Sequence, residues 1–318
     1  MEPLVEARRR LRSRVVLALK LVVSALLFAY LGSLVHGPRL GAAFGRATAL
    51  HFALSFALGA LAVAVGAMRW GYLLTAYGAP TCLSFGRRLR LYFIGTFYNF
   101  LPGAVGGDVV RGVATRESFG ERGSTAAVAV VFVERVLGVT ALLFITATMA
   151  LFRPAAGVER VLPWSLVGLC VAAGAIAAIS LAHRVAPRLP GVLGRFAERL
   201  PAIASPRAFA VALLLSFGTQ AVGALGAHVV LAEIAPRVTL ADSLALVPLA
   251  SAAAFFPLTP GGTGAREGAF VALFAAIGVA HEDALAASLL LLVVNLGLGA
   301  IGGVLQLVTP RPPPERTA

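Results

Sequence analysis

The sequence predicts an all-α polytopic membrane protein: about six transmembrane helices, two Gly/Pro-rich re-entrant half-helix motifs, and two halves related as an inverted repeat. Three observations carry that prediction. Of 318 residues, 59% are hydrophobic and only 13% are charged, against about 25% charged in a soluble domain. The apolar residues fall into blocks as long as the roughly 20 residues a helix needs to cross a bilayer. The basic residues gather on alternate connections between those blocks, as membrane topology requires. A formal net charge of +13 would point to nucleic acid in a soluble protein. Here those connections explain it, and no nucleic-acid partner is expected.

In chain order the blocks are 15–35, 50–74, 125–152, 161–182, 208–231 and 284–308. The first follows a basic segment, 1–14, and is longer than the apolar region of a signal peptide, so it reads as a first membrane anchor. A single transmembrane domain is expected over 15–308, with halves at about 15–155 and 160–308 and a tail at 309–318. With the N-terminus in the cytoplasm, nineteen of the 27 basic residues fall inside, Arg69 among them, five fall outside and three lie at membrane depth. That bias predicts a multi-pass protein of the inner (cytoplasmic) membrane with both termini cytoplasmic. Two shorter stretches, 89–101 and 244–258, run straight into Pro/Gly-rich motifs, as re-entrant half-helices do. The alternative, eight shorter spans, worsens the charge sorting.

Each half therefore reads long, long, short, Gly-rich motif, long. The first motif is FLPGAVGGDVVRG at 100–112, and the second is FPLTPGGTGAREG at 256–268. Three full crossings per half is an odd number, so the second copy is expected to be inverted. Such repeats with interrupted helices recur in transporters, with the site at the repeat interface.

Six charged residues fall at membrane depth: Asp108, Arg111, Glu134, Arg135, Arg266 and Glu267. Unpaired, they would cost on the order of 15–20 kcal/mol on the insertion scale, so they must pair or face water. Asp108 and Arg111 suit an i,i+3 pair on a helix. Glu134 and Arg135 are neighbours about 100° apart, as are Arg266 and Glu267, so each is expected to need a partner from another element. The economical arrangement brings both motifs and the 125–152 helix into one core. Such a network either only holds broken helices in place or also lines a substrate cavity.

Gly103, Gly106 and Gly107 precede Asp108, and Gly261, Gly262 and Gly264 precede Arg266. Half-helix N-termini there would offer free N–H groups to a phosphate or carboxylate, with Arg111 or Arg266 as a bidentate clamp. The individual glycines also suit a hinge or close helix packing. Phosphate is common to lipid headgroups, which makes a membrane phospholipid or polyprenyl-linked phosphate the natural ligand. Asn99 suits orienting the first motif or a simple interhelical hydrogen bond. Gln220 and His228 suit packing or the lining of a path. Trp70, Tyr72 and Tyr77 read as an interfacial aromatic belt.

No thiol, metal or nucleotide motif stands out. Cys82 and Cys170 are far apart, and Lys20, the single lysine, has no Walker A context. No cofactor, metal site or catalytic residue is expected.

Three segments in order, YFIGTFYNFLPGAVGGDVVRG, VVFVERVLG and FFPLTPGGTGAREGAF, resemble the lysylphosphatidylglycerol synthase transmembrane region, a flippase-like membrane family. The likeness covers nearly the whole chain, and Gly103, Gly106, Gly107, Asp108, Arg111, Glu134, Arg135, Gly261, Gly262, Gly264, Arg266 and Glu267 fall on its motifs. The resemblance implies translocation of an anionic phospholipid or lipid-linked phosphate between leaflets, without aminoacyl transfer, since the soluble synthase domain is lacking. It also implies a separate synthase or glycosyltransferase as a partner. The alternative it leaves is an intramembrane enzyme or accessory subunit in lipid-linked glycan or lipid-modification pathways.

Overall fold

The computed structural model describes residues 2–79, 83–100, 106–116, 118–119, 123–152, 162–188, 190–191, 198, 202–253 and 262–308. Among them the long elements are eleven α-helices: α1 (Glu2–Ser33), α2 (Gly37–Arg46), α3 (Ala49–Ala76), α4 (Phe85–Phe100), α5 (Gly107–Thr115), α6 (Gly123–Phe152), α7 (Leu162–Val185), α8 (Pro206–Ile234), α9 (Leu240–Ala252), α10 (Ala265–Ala275) and α11 (His281–Leu307). The described residues contain no strand.

Helices α3, α6, α7, α8 and α11 are long and apolar enough to cross a membrane, and the bent pair α1–α2 makes a sixth crossing if taken together. The fold is thus the all-α polytopic membrane architecture expected. Helix α1 covers the 15–35 block as far as Ser33, and the chain then turns by 93° into α2. The cause is local. Pro38 stands in the first turn of α2, where its missing N–H costs nothing, and it cannot continue the helix before it. Later helices start on ordinary caps. The Ser205 hydroxyl accepts from Ala208 N–H at 3.3 Å ahead of α8. Thr239 and Asp242 cap α9 reciprocally, through Asp242 N–H to Thr239 Oγ1 at 3.2 Å and Thr239 N–H to Asp242 Oδ2 at 2.8 Å.

The axis of the molecule is the antiparallel pair α3–α8, the most extensive helix packing in the fold. At one end, Ala204 and Ser205 N–H groups donate to the Ala76 carbonyl at 2.7 and 3.1 Å. At the other, His51 Nε2 meets Glu233 Oε1 at 3.1 Å. The same end holds α2 across the bundle, through the Arg46–Asp283 ion pair and the His36 N–H donating to Glu282 Oε1 at 3.3 Å. Around this axis each packing occurs twice. Helix α3 packs on α4 and α8 on α9; α4 on α5 and α9 on α10; α5 on α6 and α10 on α11; α4 on α11 and α9 on α6.

Each sequence motif comes between two short helices and ends within the second. The 16-residue α4 leads to the 9-residue α5, and the 13-residue α9 leads to the 11-residue α10. The links at 101–105 and 254–261, with Gly103 and Gly261, lie outside the described residues. Helix α4 is wedged between α5 and α11 by backbone-to-backbone contact. A Cβ on Gly107 would overlap the Gly95 carbonyl, and one on Gly302 would overlap the Phe93 carbonyl. Glycine there is a matter of space, because only a missing side chain lets two backbones approach so closely.

Outside, large apolar residues such as Leu19, Leu26, Val171 and Leu214 are exposed, as a bilayer-facing surface requires. The aromatic belt is corrected in part. Tyr72 is 41% exposed, but Trp70 and Tyr77 are buried at 0% and 3%, packed with Leu73, Val130 and Leu137 in the core beneath α4.

A valine at Gly302 should lower stability by at least about 2 kcal/mol through forced separation of α4 and α11. Alanine at Gly41, which has open space around it, should cost nothing measurable. Thermal unfolding of the purified protein in one detergent checks both.

Candidate functional site

Five charged side chains from three helices meet in the half of the bundle built by α3 to α6. Helix α6 contributes Glu134, which is 1% exposed. Its Oε1 accepts from Arg69 Nη2 of α3 and from the Tyr92 hydroxyl of α4, both at 2.7 Å. Its Oε2 accepts from Arg111 Nη1 of α5 at 2.6 Å. Arg111 Nη2 donates on to Asp108 Oδ1 at 2.6 Å, and Arg135 Nε donates to Asp108 Oδ2 at 2.7 Å. The result is an alternating ladder, Arg69–Glu134–Arg111–Asp108–Arg135. It is buried at the Arg69 end and part-exposed at the Arg135 end, where that side chain is 40% accessible. The Arg111 guanidinium also lies 4.4 Å from the Tyr92 ring centroid and 5.5 Å from that of Trp70, within cation–π range.

The local sequence explains this convergence. Asp108 and Arg111 form the i,i+3 pair expected once 107–115 is helical. Glu134 and Arg135 diverge by one helical step, so each finds a different partner, also as expected. Arg69 was placed by sequence on the cytoplasmic face and is instead 8% exposed within the ladder. Its signal was a lone arginine inside the otherwise apolar 28-residue α3.

A cavity of about 180 Å³ opens on the ladder, lined also by Tyr92, Thr96, Asn99 and Gln220. Asn99 Oδ1 accepts the Gly107 N–H at 2.9 Å. The asparagine therefore orients α5 and occupies a donor that was expected to be open to an anion; Gly106 beside it is exposed. Gln220 Nε2 holds the Gly138 carbonyl at 2.9 Å and also lines the cavity. His228 packs against the Ser243 hydroxyl at 3.0 Å.

The second motif does not join the ladder, which corrects the single-core arrangement. Arg266 and Glu267 line a separate, larger cavity of about 400 Å³, and Tyr92, Thr96, Asn99, Thr219 and Gln220 stand between the two as a shared wall. Nor do these neighbours need a charged partner from another element, although Arg266 Nη2 also donates to the Ser288 carbonyl of α11 at 3.5 Å. Arg266 Nη2 and Nε donate to Glu267 Oε1 at 2.7 and 3.0 Å. The angular separation on a helix fails here because Glu267 folds back over the start of α10. There its Oε2 accepts the Gly264 N–H at 2.6 Å, and the long guanidinium follows. Gly264 has φ +92° and abuts Leu27 of α1, a conformation and a space that suit glycine alone. Gly262 also has positive φ, at 74°. The second expected anion-binding turn is thus occupied by the protein's own carboxylate. Arg266 remains 18% exposed, and nearby Ser288, wholly buried, lines the cavity with a hydroxyl that has no partner among the described residues.

A profile of the family described as Lysylphosphatidylglycerol synthase TM region matches residues 17–303. The chain belongs to that family. It is therefore a multi-pass membrane protein of a family concerned with lipid modification or transport, and both charged clusters lie within the matched region. A search of curated proteins gave no match.

Replacing Glu134 by alanine strands two buried guanidinium groups and should cost about 3–5 kcal/mol. Chemical or thermal denaturation in detergent checks it. Asp108→Asn, at the part-exposed end, should cost clearly less.

Proposed function

We propose that this member of the lysylphosphatidylglycerol synthase TM family binds an anionic phospholipid or lipid-linked phosphate and translocates it between leaflets. The observation that carries the reading is Arg266. It is a part-exposed guanidinium at the wall of a 400 Å³ cavity inside a membrane protein, beside a buried Ser288 hydroxyl that has no partner among the described residues. Guanidinium and hydroxyl are donors that match phosphate oxygens. The acyl chains would remain in the bilayer.

Arg111 is the second binding residue of the proposal, reached through the smaller cavity. There the anion exchanges places with Glu134 or Asp108, and Arg135 accompanies the exchange at the rim. Carboxylates that neutralise the arginines when no lipid is present keep the empty site from holding bare charge in low dielectric. Gly106 and Gly262 would let the backbone come close to the headgroup, Gly107 and Gly264 seat their helices against α4 and α1, and Gly103 and Gly261 complete the two motifs. The duplicate helix packings around α3–α8 support an inverted repeat, the plan on which alternating access is commonly built. Proton exchange at one carboxylate would couple transport to a gradient. The charge distribution supports an inner-membrane location with both termini cytoplasmic. A separate synthase or glycosyltransferase would then supply the lipid.

The test is lipid exchange in reconstituted vesicles, followed with a probe read out from one leaflet. Wild-type protein should accelerate exchange over empty vesicles, and Arg266→Gln should slow it about tenfold or more, the worth of one charge-assisted contact. Equal rates with and without protein, or for wild type and variant, would overturn the proposal.

A further inference from the structure

A different cluster of arginines stands outside both cavities, where α3 ends and α4 begins. Arg87, Arg88 and Arg90 fall in the first two turns of α4. Among the described residues no carboxylate pairs with any of the three guanidinium groups. The Nε atoms of Arg88 and Arg90 are buried and have no hydrogen-bond acceptor among the described residues. Ordinary interfacial arginines hold the whole guanidinium in water. These two do not: each is partly dehydrated, which is costly for an ionised donor left unmatched.

The placement is built into the fold. The Arg88 guanidinium occupies the space that any side chain at Gly71 would fill, so it is seated against α3. Helix α3 has 28 residues and extends about 42 Å, so its end reaches headgroup depth in a bilayer about 40–45 Å thick including headgroups. Tyr72 and Phe85 flank the corner and are 41% and 42% exposed, the position of aromatic side chains at the interface. What lies at that depth and supplies paired oxygen acceptors to guanidinium is lipid phosphate.

We propose that the α3–α4 corner binds the phosphodiester headgroup of an anionic membrane phospholipid at a site separate from the transport cavities. Arg88 and Arg90 supply the donors, Arg87 adds charge at the rim, and Tyr72 with Phe85 contacts the glycerol and upper acyl chain. Lipid held there ties α4 to α3 at the outer end of α4, the helix that bears Tyr92 and Asn99. The site does not depend on transport activity.

Native mass spectrometry of the full chain in detergent, titrated with phosphatidylglycerol or phosphatidylcholine, tests it. Wild type should retain phosphatidylglycerol at the corner in preference to phosphatidylcholine. The pair Arg88→Gln/Arg90→Gln should lose one bound phosphatidylglycerol, or weaken it at least fivefold. Arg88→Lys/Arg90→Lys, which keeps the charge, should retain part of the binding, and its unfolding temperature reports whether the corner still folds. Millimolar inorganic phosphate should not displace the lipid. Equal phosphatidylglycerol binding in wild type and the glutamine pair, equal retention of phosphatidylcholine, or displacement by phosphate would each overturn the proposal. Arg266→Gln reads the cavity independently, so loss at the corner without loss at Arg266 would leave this site standing and count against the transport reading alone.

Discussion

The ladder half of the molecule is organised around one carboxylate that has no access to water. Glu134, at 1% exposure, takes hydrogen bonds from Arg69, Arg111 and Tyr92 at 2.6–2.7 Å. A carboxylate in a membrane interior is tolerable only with such a set of donors around it. That demand draws α3, α4 and α5 onto α6 and fixes where each must stop. Arg111 cannot serve Glu134 unless 107–115 is helical, and α5 cannot approach α4 unless Gly95 and Gly107 lack side chains. The short helices α4 and α5 and the ion ladder are therefore one design: their close packing brings Arg111 to Glu134, and the charge supplies the reason to hold it there.

The other half solves the same problem with fewer groups. Glu267 satisfies itself locally, on the Gly264 N–H and the adjacent Arg266, and needs no third helix. Although the packings recur around α3–α8, the two motifs are electrostatically unlike. One is a cross-braced network of five charges, and the other is a self-contained pair beside a larger cavity. A shared wall of α4 and α8 side chains separates them. If the proposed inverted repeat holds, such a difference would give the two motifs distinct tasks.

The helical membrane architecture, the short helices beside the Gly-rich motifs and the pairing of charges within apolar segments were all legible in sequence, because hydrophobic block length and the cost of buried charge act on single residues and short windows. Besides the burial of Trp70 and Tyr77 and the separation of the two motifs, two things were not. Arg69 lies seven positions before the end of α3, where an arginine can equally snorkel to the surface or turn inward. Only the position of Glu134, 65 residues later, decides between them. The Arg266–Glu267 pair was missed because angular separation describes extended rotamers in mid-helix. A glutamate at the third position of a helix bends back to its N-terminus, and that tertiary detail begins with the positive φ of Gly264.

The carboxylate folded over the start of α10 has a further consequence. Under the proposed function, Glu267 would be a tethered competitor for an anion bound at Arg266. Because it is held on the same turn, its effective concentration at the guanidinium far exceeds that of a ligand in solution. Any visiting phosphate therefore binds only by the margin through which it surpasses an acid that is always present. Under that proposal, occupancy would be shallow and release rapid, a setting that suits a carrier, which must let go as readily as it takes hold.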